Sequence, residues 1–243
     1  MHIFCTEYAL LLLMRVFTFV EKYAIIILNQ KSELEEEKMN HSFKIQGNVS
    51  GAIRSDDEMR LIDGNLAEKS FKTQKKTLDS FLKGKGFLKY KTNSYIRLNE
   101  INVLEYFDLQ KERYGSKTLT ANFALMPLYV PHDFLSFDLG DRLGILICGK
   151  DIWWDYSNET IAALSFSNII QAIEVFLLPW FNERASVNKL KQELISEEVK
   201  RKKFGGRLSN IQQLWVDSLD KSMDYSEIIL KNIEVLKLPV GIR

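Results

Sequence analysis

The chain has 243 residues, 46% of them hydrophobic, and 33 Lys and Arg against 32 Asp and Glu give a net charge of +1. That is enough apolar content for a core, and the even charge supplies no general field to gather nucleic acid or anionic lipid. Two cysteines, Cys5 and Cys148, are too few and too far apart for a disulfide scaffold, which points to a reducing, cytoplasmic setting.

Residues 8–14 and 24–28 are apolar, but Arg15, Glu21 and Lys22 interrupt them. A spanning helix needs about 20 mostly apolar residues, so no stable membrane insertion is expected here. The start carries no Lys or Arg and no small-residue cleavage site follows, unlike a signal peptide. Residues 31–38 are rich in Glu and Lys directly before Met39, as a bacterial ribosome-binding site read in frame would be. Residues 1–38 are therefore expected to be a mis-assigned upstream stretch, with translation starting at Met39. An amphipathic membrane-surface helix and an ordinary packed helix are the alternatives. Residues 39–64 read as a linker, with Gly47, Gly51 and several Ser and Asn.

The central domain is expected over residues 65–184. Asp56, Asp57 and Glu58 suit a helix's first turn, and the clearer helix covers residues 66–83. Leu66, Phe71, Leu78, Phe81 and Leu82 are its apolar positions, the lysines at 69, 72, 75, 76 and 83 its solvated face, and Gly84 and Gly86 its end. Strands follow at 87–91 and 94–98 around a Thr92-Asn93 turn, then at 101–110 and 117–126. In the last of these, Leu119, Ala121, Phe123 and Leu125 alternate with Thr118, Thr120, Asn122 and Ala124, the pattern of a half-buried antiparallel strand. Residues 127–140 form a loop, and 142–148 read as a final strand that buries Cys148.

Asp151, Trp153, Trp154 and Asp155 come next. The aspartates read as turn caps rather than an acid–base pair. Of two adjacent tryptophans in extended chain, one faces the core and the other outward. Caps at Ser157 or Asn158 and at Ser165 or Ser167 start two helices, the second running to a stop at Pro179. The fold class is α+β: an antiparallel sheet of about five strands flanked by helices, both covering one sheet face. Residues 185–243 form a helical C-terminal extension with three apolar stripes. The basic run at 200–203 suits a helix C-terminus and is not expected to bind nucleic acid.

Chemistry is sparse. His132 stands alone in the loop and reads as solvated, with no convergent ligands for zinc or a triad. No cofactor, metal or catalytic residue is assigned. The candidate binding surface is a polar sheet face bearing Tyr95, Arg97, Tyr106, Asp108, Gln110, Thr120 and Asn122, with Arg142, Trp153 and Trp154 nearby. Aromatic, Arg and amide groups together resemble a recognition surface.

Several short pieces occur in order over about residues 66–184. They are Leu82-x-x-x-Gly86-Phe87, Tyr95-x-Arg97, Phe107-x-x-Gln110, Asn122, Arg142-Leu143-Gly144, Trp153-Trp154 and Pro179-Trp180-Phe181. This set resembles the bacterial family known as domain of unknown function 4304. The resemblance implies an α+β domain in a bacterial cytosol, no established activity, and, by analogy, an immunity-like role beside toxin genes. The expectation is thus a non-enzymatic module with a protein partner. The alternatives are a small-molecule binder or enzyme using the polar sheet face, and a structural or oligomer-forming accessory protein.

Overall fold

The computed structural model describes residues 56–135, 139–203, 215, 218 and 224–242. The readings of residues 1–38, of Met39 as a start, of the linker up to residue 55, and of most of the second C-terminal stripe fall outside that range.

Helix α1 (Asp56–Gly84) opens at the acidic triplet, so residues 56–64, read as linker, are helical. Ala67, Phe71, Lys75, Leu78 and Leu82 are its buried positions, three or four residues apart. Lys75 therefore leaves the lysine face. Its Nζ bonds Asp79 Oδ1 at 2.8 Å and lies 5.4 Å from the centre of the Tyr95 ring. Leu66, by contrast, is exposed. The helix ends where Gly86 takes φ +85° and Phe87 N bonds back to Leu82 O at 3.0 Å.

Strands β1 (Leu88–Lys91), β2 (Ser94–Leu98), β3 (Val103–Lys111), β4 (Thr118–Pro127) and β5 (Leu139–Arg142) lie in chain order, each antiparallel to the last. A short β6 (Trp154–Asp155) pairs with β4 at its start. The expected strand at 142–148 is corrected: β5 ends at Arg142, and Leu143–Cys148 is a short helix, α2. A brief apolar run does not distinguish the two by pattern. Within α2 Gly144 is packed closely, since a Cβ there would stand 2.5 Å from Ile152 N. Cys148 is consequently exposed rather than buried.

The expected pair of helices is one continuous path: α3 (Glu159–Ala172), a π-helical turn (Ile173–Leu177) and α4 (Leu178–Glu183). Asn158 caps it by accepting from Ile161 N at 2.9 Å, while Ser165 is buried inside it. Pro179 does not stop the helix. Proline removes one N–H and crowds the carbonyl four residues back, and the π turn just before it absorbs both. By length and hydropathy this 25-residue path would pass as a membrane span, yet half of its apolar window is buried in the fold.

Strand pairing assigns every side chain to a face, because directly paired residues point the same way. The first face carries Tyr95, Arg97, Glu105, Phe107, Leu109, Lys111, Leu119, Ala121, Phe123 and Leu125. It meets the helices: Phe123 lies edge-on to Trp180, ring centres 4.8 Å apart, and Lys111 Nζ bonds Glu68 and sits 3.7 Å above the Phe71 ring. Phe71 in turn packs edge-on against Phe166 of α3. Both helices thus cover one face, as expected.

The second face divides along its length. Ile96, Leu104, Ala124 and Met126 are buried at one end, while polar side chains hold the other. The C-terminal extension contains α5 (Val187–Lys203) and α6 (Ser226–Val235), whose Leu190, Leu194 and Ile229 join the hydrophobic core. Tyr90, a neighbour of Tyr106 on that face, donates to Leu236 O at 3.0 Å. Asn232 of α6 donates to Leu128 O and Val130 O and accepts from His132 N, all within 3.0 Å. His132 is corrected by the same contacts: it is buried, and its Nε2 lies 2.7 Å from Pro127 O. Farther along the loop, Trp215 Nε1 donates to Tyr129 Oη at 2.5 Å.

Candidate functional site at the polar end of the sheet

Two of the residues grouped on one polar face do not belong there. Tyr95 faces the helices, where its hydroxyl donates to Asp79 and burial raises its pKa far above the ordinary phenol value. Arg97 also faces the helices. Its Nε donates to Glu105 Oε2 at 2.6 Å, its Nη1 to Lys85 O at 2.9 Å, and its guanidinium stacks 4.7 Å from the centre of the Phe87 ring. It pairs a carboxyl that is 1% exposed and secures the chain just past the end of α1, so its work is structural. Burial pushes Glu105 above the usual carboxylate range, with Arg97 opposing that shift. Trp154 is likewise core, opposite Leu119, whereas Trp153 is 39% exposed. One tryptophan in and one out is the expected arrangement.

The remaining candidates come together. Ser94 pairs with Asp108, Asp108 with Asn122, and Asn122 with Arg142, one row running across β2, β3, β4 and β5. The next row is Gln110 opposite Thr120, and Asn122 Nδ2 donates to Gln110 Oε1 at 3.2 Å. On the other side, Tyr106 donates to Ser94 Oγ at 3.1 Å, and burial raises its pKa to about 12. Arg142 ends the row. Its Nη1 donates to Asp151, and its guanidinium lies 5.3 Å from the centre of the Trp153 ring. An Arg held by a carboxylate and stacked on an indole is a well-fixed, half-exposed pair.

Two groups in this patch stand out. Burial pushes the Asp108 carboxyl above its ordinary range, and Asn122 is the group that pulls it back. Thr120 is fully buried, and its Oγ1 has no hydrogen-bond partner. Buried polar groups in folded proteins are usually paired, and exceptions call for a reason.

Sequence reasoning missed Ser94 and the role of Asp151. Pairing β2 to β3 across residues 99–102 would have put Ser94 opposite Asp108. Nothing in the sequence ties Asp151 to Arg142. Among the described residues, no group of three or more His, Cys, Asp or Glu is placed to hold a metal ion.

The family model described as Domain of unknown function (DUF4304) matches residues 78–183. The resemblance read from the ordered motifs therefore holds for that segment, which spans the last two turns of α1 through α4 and includes the whole polar row. No curated protein matches the chain, and no solved structure does. Several of the motif residues now have physical roles. Gly86 and Gly144 allow a left-handed turn and a close approach, Arg97 pairs Glu105, and Trp180 and Phe181 pack on Phe123.

Proposed function

We propose that this domain is a protein-binding module whose contact surface is the polar end of the second sheet face, with the Arg142–Trp153 pair as its rim. The observation that supports this most is the exposed indole of Trp153, held in place by Arg142, which Asp151 fixes in turn. Trp and Arg are the side chains that most often dominate protein interfaces, and a pre-ordered pair loses little freedom on docking. The neighbouring row of Asp108, Asn122 and Gln110 supplies hydrogen-bonding groups to fix the orientation of a partner.

The test is quantitative capture. Tagged full-length protein and its Trp153→Ala variant are recovered from the native cells, and bound proteins are counted by mass spectrometry. The melting temperatures of both proteins are measured alongside, so that a lost partner reports the surface and not unfolding. A stoichiometric partner on the parent protein that is lost with Trp153→Ala is the expected result. Equal recovery on both proteins, or none on either, overturns the reading. A toxin as that partner would narrow the function to immunity.

A further inference from the structure

Asp108 sits in the middle of the polar row as a half-buried carboxylate with no cation of its own. Ser94, on one side, already accepts the Tyr106 hydroxyl. Asn122, on the other, divides its amide between Gln110 and the Asp108 carboxylate, and is the one donor that reaches Asp108. Arg142, the cation next along the row, is committed to Asp151. Among the described residues no ion pair includes Asp108. One register position away, Thr120 Oγ1 is fully buried on the same face and has no partner. Gln110 Oε1 and Asn122 Oδ1 add further acceptors to the same patch. The local balance around Asp108 is thus acceptor-rich and anionic.

We propose that Asp108 anchors this surface by taking the guanidinium of an arginine side chain presented by the partner protein. The inference rests on the binding-module reading and names the chemistry of its occupant. A half-buried carboxylate without a cation, with two amide oxygens around it, matches the planar fork of five N–H groups that arginine alone carries. The ion pair supplies the counter-charge that folding leaves off Asp108, so a carboxylate without a cation in the free protein gains one in the complex.

The test uses the full-length protein and N-acetyl-argininamide as probe, with N-acetyl-citrullinamide as its neutral isostere. The side-chain amide signals of Asn122 and Gln110 are followed by NMR. Saturable shifts with the arginine probe are expected, weakened about tenfold or more by citrulline and by Asp108→Asn. Asp108→Asn keeps the shape of the side chain, and its spectrum shows directly whether the fold is retained. No saturable shift, or equal binding by citrulline or by the variant, overturns the proposal. The capture experiment separates this failure from failure of the module itself. A partner lost with Trp153→Ala but kept with Asp108→Asn removes the arginine anchor and leaves the module standing. If no partner is captured, the module reading fails and the probe titration still decides the role of Asp108.

Discussion

Replacing Asn232 by Leu tests whether the C-terminal helix belongs to the fold. Asn232 is 2% exposed and lies about a hundred residues along the chain from its partners. Its amide satisfies Leu128 O at 2.8 Å, Val130 O at 2.7 Å and His132 N at 3.0 Å. Leucine has similar volume and supplies none of these bonds. Each buried main-chain group left unpaired costs about 1–3 kcal/mol, and local relaxation recovers part of it. The expected loss is about 3 kcal/mol, a large share of the roughly 5–15 kcal/mol typical of a folded domain. It corresponds to about a hundredfold rise in the unfolded fraction. Equilibrium unfolding in urea, followed by tryptophan fluorescence, measures it. Asn182→Ala, at an exposed position of α4, serves as the control and should change little. A loss below about 1 kcal/mol for Asn232→Leu would refute the claim that this side chain ties α6 to the sheet.

Other outcomes follow from the same contacts. Arg97→Met leaves Glu105 buried without its cation and should cost about 3 kcal/mol near neutral pH, by urea unfolding. The cost should shrink in acid, because the stranded carboxyl then protonates. Asp108 has its pKa raised in the folded protein, so the native state binds its proton more tightly than the unfolded chain does. Its contribution to stability should therefore grow as pH falls through the window above the ordinary carboxylate range, and Asp108→Asn should remove that slope from a melting series against pH. Asp79 has the opposite sign. Its pKa is lowered despite burial, by bonds from Lys75, Tyr95 and Lys89, so the stability it adds is present at neutral pH and is lost as pH falls through its folded value. Gly144→Ala would force a methyl group against Ile152 N and Lys150 O and should cost about 2 kcal/mol or more, read as a lowered melting temperature.

Local pattern determined much of this protein. The alternation in residues 117–126 set out β4 and the face its leucines take. The spacing of apolar residues set out α1 and α3, and the ordered short motifs led to the right family model. Two adjacent tryptophans in extended chain had to split between core and surface, and they do. Each of these is a property of residues a few positions apart, where backbone geometry alone dictates direction.

Only the tertiary structure decided which strand residues share a face, because a register slip of one moves a whole strand's side chains to the other side. Tyr95 and Arg97 alternate as convincingly as Tyr106 and Asp108, yet pairing Ile96 with Tyr106 sends the first two under the helices. The same holds for Lys75, His132 and Pro179. A lysine becomes core when Asp79 lies one turn away and Tyr95 lies below it. A loop histidine is buried when Asn232, a hundred residues on, closes over its backbone. A proline continues a helix when a π turn precedes it. In each case the deciding partner is brought close by folding, and the sequence records no distance between residues that meet only there.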